Sequence, residues 1–174
     1  MGKLTLLGVI VAAAIQAGSA QAQERIVPIV RSGEWEASMY QPSMIAPPTV
    51  CVVYNYVAGF ILRVDAMTFQ MRVTDHRWSL PADVSGPVVA KVGAFVLNEE
   101  IWGNTADTVH ALLAERDLVQ LLDAMDKGAV MTVKVGNATP FSVSLAGSTR
   151  VTNAFRTCAN LPGADAGPGS NPFR

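Results

Sequence analysis

Residues 67–74 alternate without interruption. Met67, Phe69, Met71 and Val73 are apolar, and Thr68, Gln70, Arg72 and Thr74 between them are polar. Side chains two residues apart share one face of an extended chain, so this segment reads as a strand with one side in a core and the other in water. The same period recurs elsewhere, and a chain built of such strands has to bury one face of a sheet. Trp35, Ala37 and Met39 alternate with Glu34, Glu36 and Ser38. After the break at Pro47-Pro48, residues 49–55 are rich in Val and Tyr and carry Cys51; Phe60, Leu62 and Val64 repeat the pattern. Residues 76–80 extend or follow the strand at 67–74. Residues 81–87 read as a turn-rich break and 88–97 as one or two short strands around Gly93. Residues 130–135, the turn signal Gly136-Asn137, and Phe141, Val143 and Leu145 predict a hairpin. Residues 24–32 read as a lead-in arm.

A second period enters late. Leu118, Leu121, Leu122 and Met125 have helical spacing, with Asp117 at the start, Lys127 at the end and Gly128 as a stop. Val151, Ala154, Phe155 and Cys158 repeat at the same spacing, after an N-cap offered by Gly147-Ser148 and before Pro162. Val109, Leu112 and Leu113 also match it, and predict one or two helical turns over 107–114. The expected fold is a β-rich α+β domain. It is an antiparallel sandwich or curled sheet with two or three short helices in the C-terminal half.

The first residues bear on compartment. Lys3 precedes an apolar run over residues 4–14, and Gly18, Ser19, Ala20, Gln21 and Ala22 follow. This is the order of a secretory signal, with cleavage after Ala22, or alternatively after Ala20. A membrane anchor would need about 20 apolar residues. The expected organisation is a signal peptide at 1–22, one β-rich periplasmic or secreted domain at 23–162, and a disordered Gly- and Pro-containing tail at 163–174. No second long apolar run is present, so no integral membrane segment is expected in the mature chain. Losing Lys3 would take the formal charge from −1 to −2. Charges of both signs are interspersed without a basic stripe, which argues against a nucleic-acid partner.

Cys51 and Cys158 are the two cysteines. An even pair in an exported chain reads as a disulfide. Two buried thiols or a catalytic cysteine are the competing readings.

Catalytic patterns are scarce. His76 and His110 are the two histidines, too few for a zinc site with the cysteines oxidised, so no metal or other cofactor is expected. Asp75 and His76 with Ser148 are the material for a hydrolase site assembled from scattered residues. Neighbours in a strand diverge, however, and Ser148 reads better as a helix cap. Glu99, Glu100, Trp102 and Asn104 form the candidate binding segment: two acids beside an aromatic and Gly103. The alternative places Trp102 in the core.

Residues 121–128, the strand over 130–135, and Ser144-Leu145-Ala146-Gly147-Ser148 leading to Ala154-Phe155 and Cys158 resemble exported proteins of the invasion-associated locus B type and related periplasmic families. The resemblance covers about a quarter of the chain. It implies a β-rich periplasmic domain without known catalysis, and no functional residue is carried over. The expected function is therefore a non-catalytic periplasmic binding or accessory module whose partner is an envelope protein or surface component. An inhibitor or immunity protein against a periplasmic toxin, and the scattered-site hydrolase, are the alternatives.

Overall fold

A computed structural model describes residues 25–43, 45–66 and 68–163. The expected leader at 1–22, Met67 of the alternating segment, and the expected tail beyond Gly163 lie outside the described residues.

The strands are β1 (Arg25–Ser32), β2 (Trp35–Gln41), β3 (Val50–Asn55), β4 (Phe60–Asp65), β5 (Thr68–Thr74), β6 (Ser85–Val92), β7 (Phe95–Thr105), β8 (Thr108–Leu113), β9 (Val130–Val135) and β10 (Phe141–Ser144). Helix α1 (Glu115–Lys127) links β8 to β9, and α2 (Ser148–Ala159) follows β10. All ten strands join one antiparallel sheet in the order β1-β2-β3-β4-β5-β8-β7-β6-β9-β10. A sandwich is thus corrected to a single sheet. Hydrogen bonding runs unbroken from β1 to β10, and curling takes the place of a second layer. Trp35 Nε1 on β2 donates to Ser144 O on β10 at 2.7 Å, eight places away across the sheet order.

Alternation sets the inner face. Trp35 and Ala37, Cys51 and Val53, Phe60 and Leu62, and Met71 and Val73 point into one core, joined by Met131, Val133 and Val143. The hairpin of β9 and β10 forms as its pattern predicts, with Phe141 opposite Val133 and Val143 opposite Met131. Leu118, Leu121, Leu122 and Met125 bury one face of α1 in the same core. Acids in its first turn and Lys127 in its last complement the helix dipole. Gly128 ends α1 in extended backbone, at φ −91°, not in the left-handed conformation of a glycine stop. Glycine is required there because a Cβ would collide with Val92 Cγ1 on β6.

Three expected elements are corrected. Residues 107–114 are not a helix: β8 lies between β5 and β7, where both its edges are hydrogen-bonded. Val109, Ala111 and Leu113 face inward and Leu112 outward, so two helices, not three, are present among the described residues. The lead-in arm is strand β1, which pairs with β2 through a register shift between Pro28 and Val30. At α2 the N-cap is Gly147 in the left-handed region (φ 85°), and Ser148 is the first helical residue. A Cβ on Gly147 would lie 2.7 Å from Ser32 O, so the close approach of β1 also demands glycine.

Helix α2 packs on β1, β2 and β3, not over the β9–β10 hairpin before it. Val151 and Phe155 are buried there, and Cys158 is bonded to Cys51 with the Cα atoms 5.9 Å apart. Arg156, 1% exposed, ties the helices together. Its Nη2 donates to Asp123 Oδ1 of α1 at 2.7 Å and its Nη1 to Pro162 O at 2.7 Å. Thr152 Oγ1 adds a 2.5 Å bond to Asp126 Oδ1.

Candidate functional site

Strand β7 separates the residues of the candidate binding segment. Glu99 shares a face with buried Leu97 and Ile101. Burial, and the Asp117 carboxylate at the start of α1, push its carboxyl above the ordinary range. Glu100 and Trp102 are on the outer face, and Asn104 lies where the β7–β8 register shifts between Gly103 and Thr105. Trp102 is 40% exposed, so it is not a core aromatic.

Around Trp102 the outer face has a definite make-up. His110 of β8 is its cross-strand partner, with ring centroids 6.1 Å apart. Arg72 of β5 is next in the same row, held against Gln70 Oε1 by bonds of 2.9 and 2.6 Å. Burial and then the Arg72 charge hold the imidazole of His110 below its usual range, so it favours the neutral form. Leu112, two residues along β8 on the same face, is 50% exposed. A half-exposed tryptophan, a leucine and a neutral imidazole thus adjoin Glu100 and Arg72.

The second feature comes from topology. An antiparallel order brings the turn after β1, the turn after β3, the loop after β5, the turn after β7 and the turn after β9 to one end of the sheet. An open cavity of about 910 Å³ lies at this end, lined from the turns after β1, β3 and β9 and the loop after β5. Its walls include Tyr54, Trp78 and Phe141, with Glu34, His76 and Arg77.

The loop after β5 is tied down by its charges. Asp75 Oδ1 accepts from Arg77 N and Nε at 3.0 and 2.9 Å, and its Oδ2 accepts from Arg77 Nη2 at 2.6 Å. His76 pairs through Nδ1 with Asp107 Oδ2 at 2.8 Å; Thr105 and Thr108 hydroxyls donate to Asp107 Oδ1 at 2.7 and 3.1 Å. Backbone bonds from Asp75 N to Asp107 O and from Leu80 N to Ala106 O stitch the loop to the β7–β8 turn.

The scattered hydrolase set does not assemble. Asp75 is committed to Arg77, and the carboxylate beside His76 is Asp107. Ser148 is fully buried and donates to Met125 O between the helices, outside the cavity lining. Asp107 carries no motif in the sequence and meets Asp75 and His76 only when β5 pairs with β8. Among the described residues no group of three or more His, Cys, Asp or Glu side chains could hold a metal ion.

These ion pairs predict a pH response. Arg77 holds the Asp75 carboxyl down at about 2, and Thr105, then His76 and Thr108, do the same for Asp107. Both folded values lie below the unfolded value of 3.8. Their contribution is therefore complete above about pH 4 and is lost as pH falls toward 2. Amide-exchange protection of Arg77, Trp78 and Leu80 should drop as the pH falls from about 4 to about 2. Protection in β4 should hold. Equal loss in both places would remove the local role of the pairs.

No protein-family model, no curated protein and no solved structure matches the chain.

Proposed function

We propose that the protein is an exported, non-catalytic accessory module of the cell envelope. It docks another envelope protein or a surface component through the outer face of β7 and β8. The observation that carries this reading is the half-exposed Trp102 in mid-sheet, flanked by Leu112 and His110 and bordered by charges of opposite sign, Glu100 and Arg72. A large aromatic beside apolar surface with a charged margin has the composition of an interface hot spot.

The Cys51–Cys158 disulfide supports an oxidising compartment, as does the signal-like order of residues 1–22. No helix among the described residues is long and apolar enough to cross a membrane. The reading agrees with the periplasmic β-rich domain implied by the resemblance of the C-terminal quarter.

The test is Trp102→Ala. Its melting temperature should stay close to that of the unmodified protein, because the ring makes no core contact and such surface changes fall within about 0.5 kcal/mol. A photo-crosslinking residue at position 102 should trap one envelope partner, and Trp102→Ala should weaken binding of that partner at least about tenfold, the size of a modest hot spot. Unchanged affinity, or a variant that unfolds, would overturn the docking face.

A further inference from the structure

The cavity among the turns is a separate feature, since none of Trp102, His110 and Leu112 lines it. We propose that it binds a short neutral saccharide, an activity beyond the docking of an envelope partner.

Size and preorganisation come first. About 910 Å³ is within the roughly 300–1,000 Å³ typical of small-molecule sites. The walls are set before any ligand arrives. Asn55 Oδ1 accepts from Val57 N and Ala58 N at 3.1 and 2.8 Å, which fixes the turn after β3. Trp78 and Phe141 are packed against the core on one side. Groups already held in place cost little further ordering when a ligand binds.

The chemistry of the lining narrows the ligand. The Asp75–Arg77 ion pair at the rim is internally neutralised, His76 is hydrogen-bonded to Asp107, and Arg77 and His76 each keep directional hydrogen-bonding capacity. Arg77 spends Nε and Nη2 on Asp75 and retains Nη1. His76 spends Nδ1 on Asp107 and retains Nε2. Thr139 and Ser142, from the β9–β10 connection and β10, add hydroxyls to the lining. Glu34 contributes a carboxylate, so the lining disfavours phosphates and uronates. Trp78 and Phe141 supply apolar surface in the same lining. A ligand that satisfies scattered donors and acceptors, carries no negative charge and still presents apolar C–H faces to aromatic rings is a neutral pyranose chain. The ring of Tyr56 is excluded from this role, because Arg31 stands 4.4 Å over its centre.

The experiment titrates the folded chain with three neutral probes: the β-1,4-linked N-acetylglucosamine tetramer, cellotetraose and maltotetraose. Tetragalacturonate and choline serve as the anionic and cationic comparisons. At least one neutral probe should bind saturably, shifting the indole N–H resonance of Trp78 and leaving that of Trp102 in place. His76→Ala and Arg77→Ala should each weaken that binding about tenfold, one lost hydrogen bond to a charged or fixed group. Both side chains are exposed, so the melting temperature should change little. Trp102→Ala should bind the probe like the unmodified protein, which separates failure of the docking face from failure of this site. The proposal is overturned if no neutral probe binds the folded protein, if tetragalacturonate or choline binds more tightly than all three, or if the two rim variants leave affinity unchanged.

Discussion

Replacing Cys51 and Cys158 together by alanine should lower the unfolding free energy by about 4–5 kcal/mol. The bond joins positions 107 residues apart, from β3 to α2, and encloses most of the described chain. Cutting such a loop returns to the unfolded chain the freedom that closure removed, a term that grows with the logarithm of loop length. Domains of this size are commonly stable by about 5–15 kcal/mol, so the loss would be a third or more of the total. Urea unfolding of the oxidised protein and of the double variant checks it. The midpoint should fall, and the slope should rise because the uncrosslinked chain exposes more surface. Cys51→Ala and Cys158→Ala should each lose a similar amount, since either breaks the same loop. A double variant within about 1 kcal/mol of the parent would show that β3 and α2 stay together without the bond.

Phe155→Ala should cost about 3–5 kcal/mol. The ring is fully buried where α2 lies on β1, β2 and β3, and truncation leaves a space that the curled sheet can close only in part. The melting temperature should fall by about 6 °C or more, at roughly 2–8 °C per kcal/mol. Cys158 is one helical turn further along the same helix, so the effects of the disulfide and of Phe155 should not add. Once α2 is loosened by one loss, the second removes contacts already weakened. Calorimetry on the single and combined variants measures the difference. Additive losses would mean that α2 docks in independent pieces. Trp102→Ala, on the other face of the sheet, is the natural control because its melting should hold.

The candidate site was legible in part. Divergence of Glu99 and Glu100 follows from the pleat alone. The same rule places Trp102 outward once Leu97 and Ile101 are inward, so its phase along β7 was the signal that decides between core and surface. His110 and Arg72 beside it were not legible, because they come from β8 and β5, and pairing across strands has no local signature. The same holds for His76 and Asp107, 31 positions apart in sequence and 2.8 Å apart in space.

What the sequence determined by itself was local in origin. Period-two alternation marked β2, β3, β4, β5, β9 and β10, period-3.6 spacing marked α1 and α2, and the number of cysteines pointed to one staple. Each depends on residues within a single element, or on composition. Tertiary structure decided what depends on partners. Val109, Leu112 and Leu113 fit a helix as well as a strand, and β8 is a strand because β5 and β7 offer hydrogen bonds to both its edges. Residues 25–32, with Pro28 and no strict alternation, became β1 only by pairing with β2. Gly128 was legible as a stop, but its cause is the nearness of Val92 on another strand. Strand order, curl and the open cavity at one end of the sheet follow from contacts between residues far apart in the chain, whose free energy exists only once the sheet has formed.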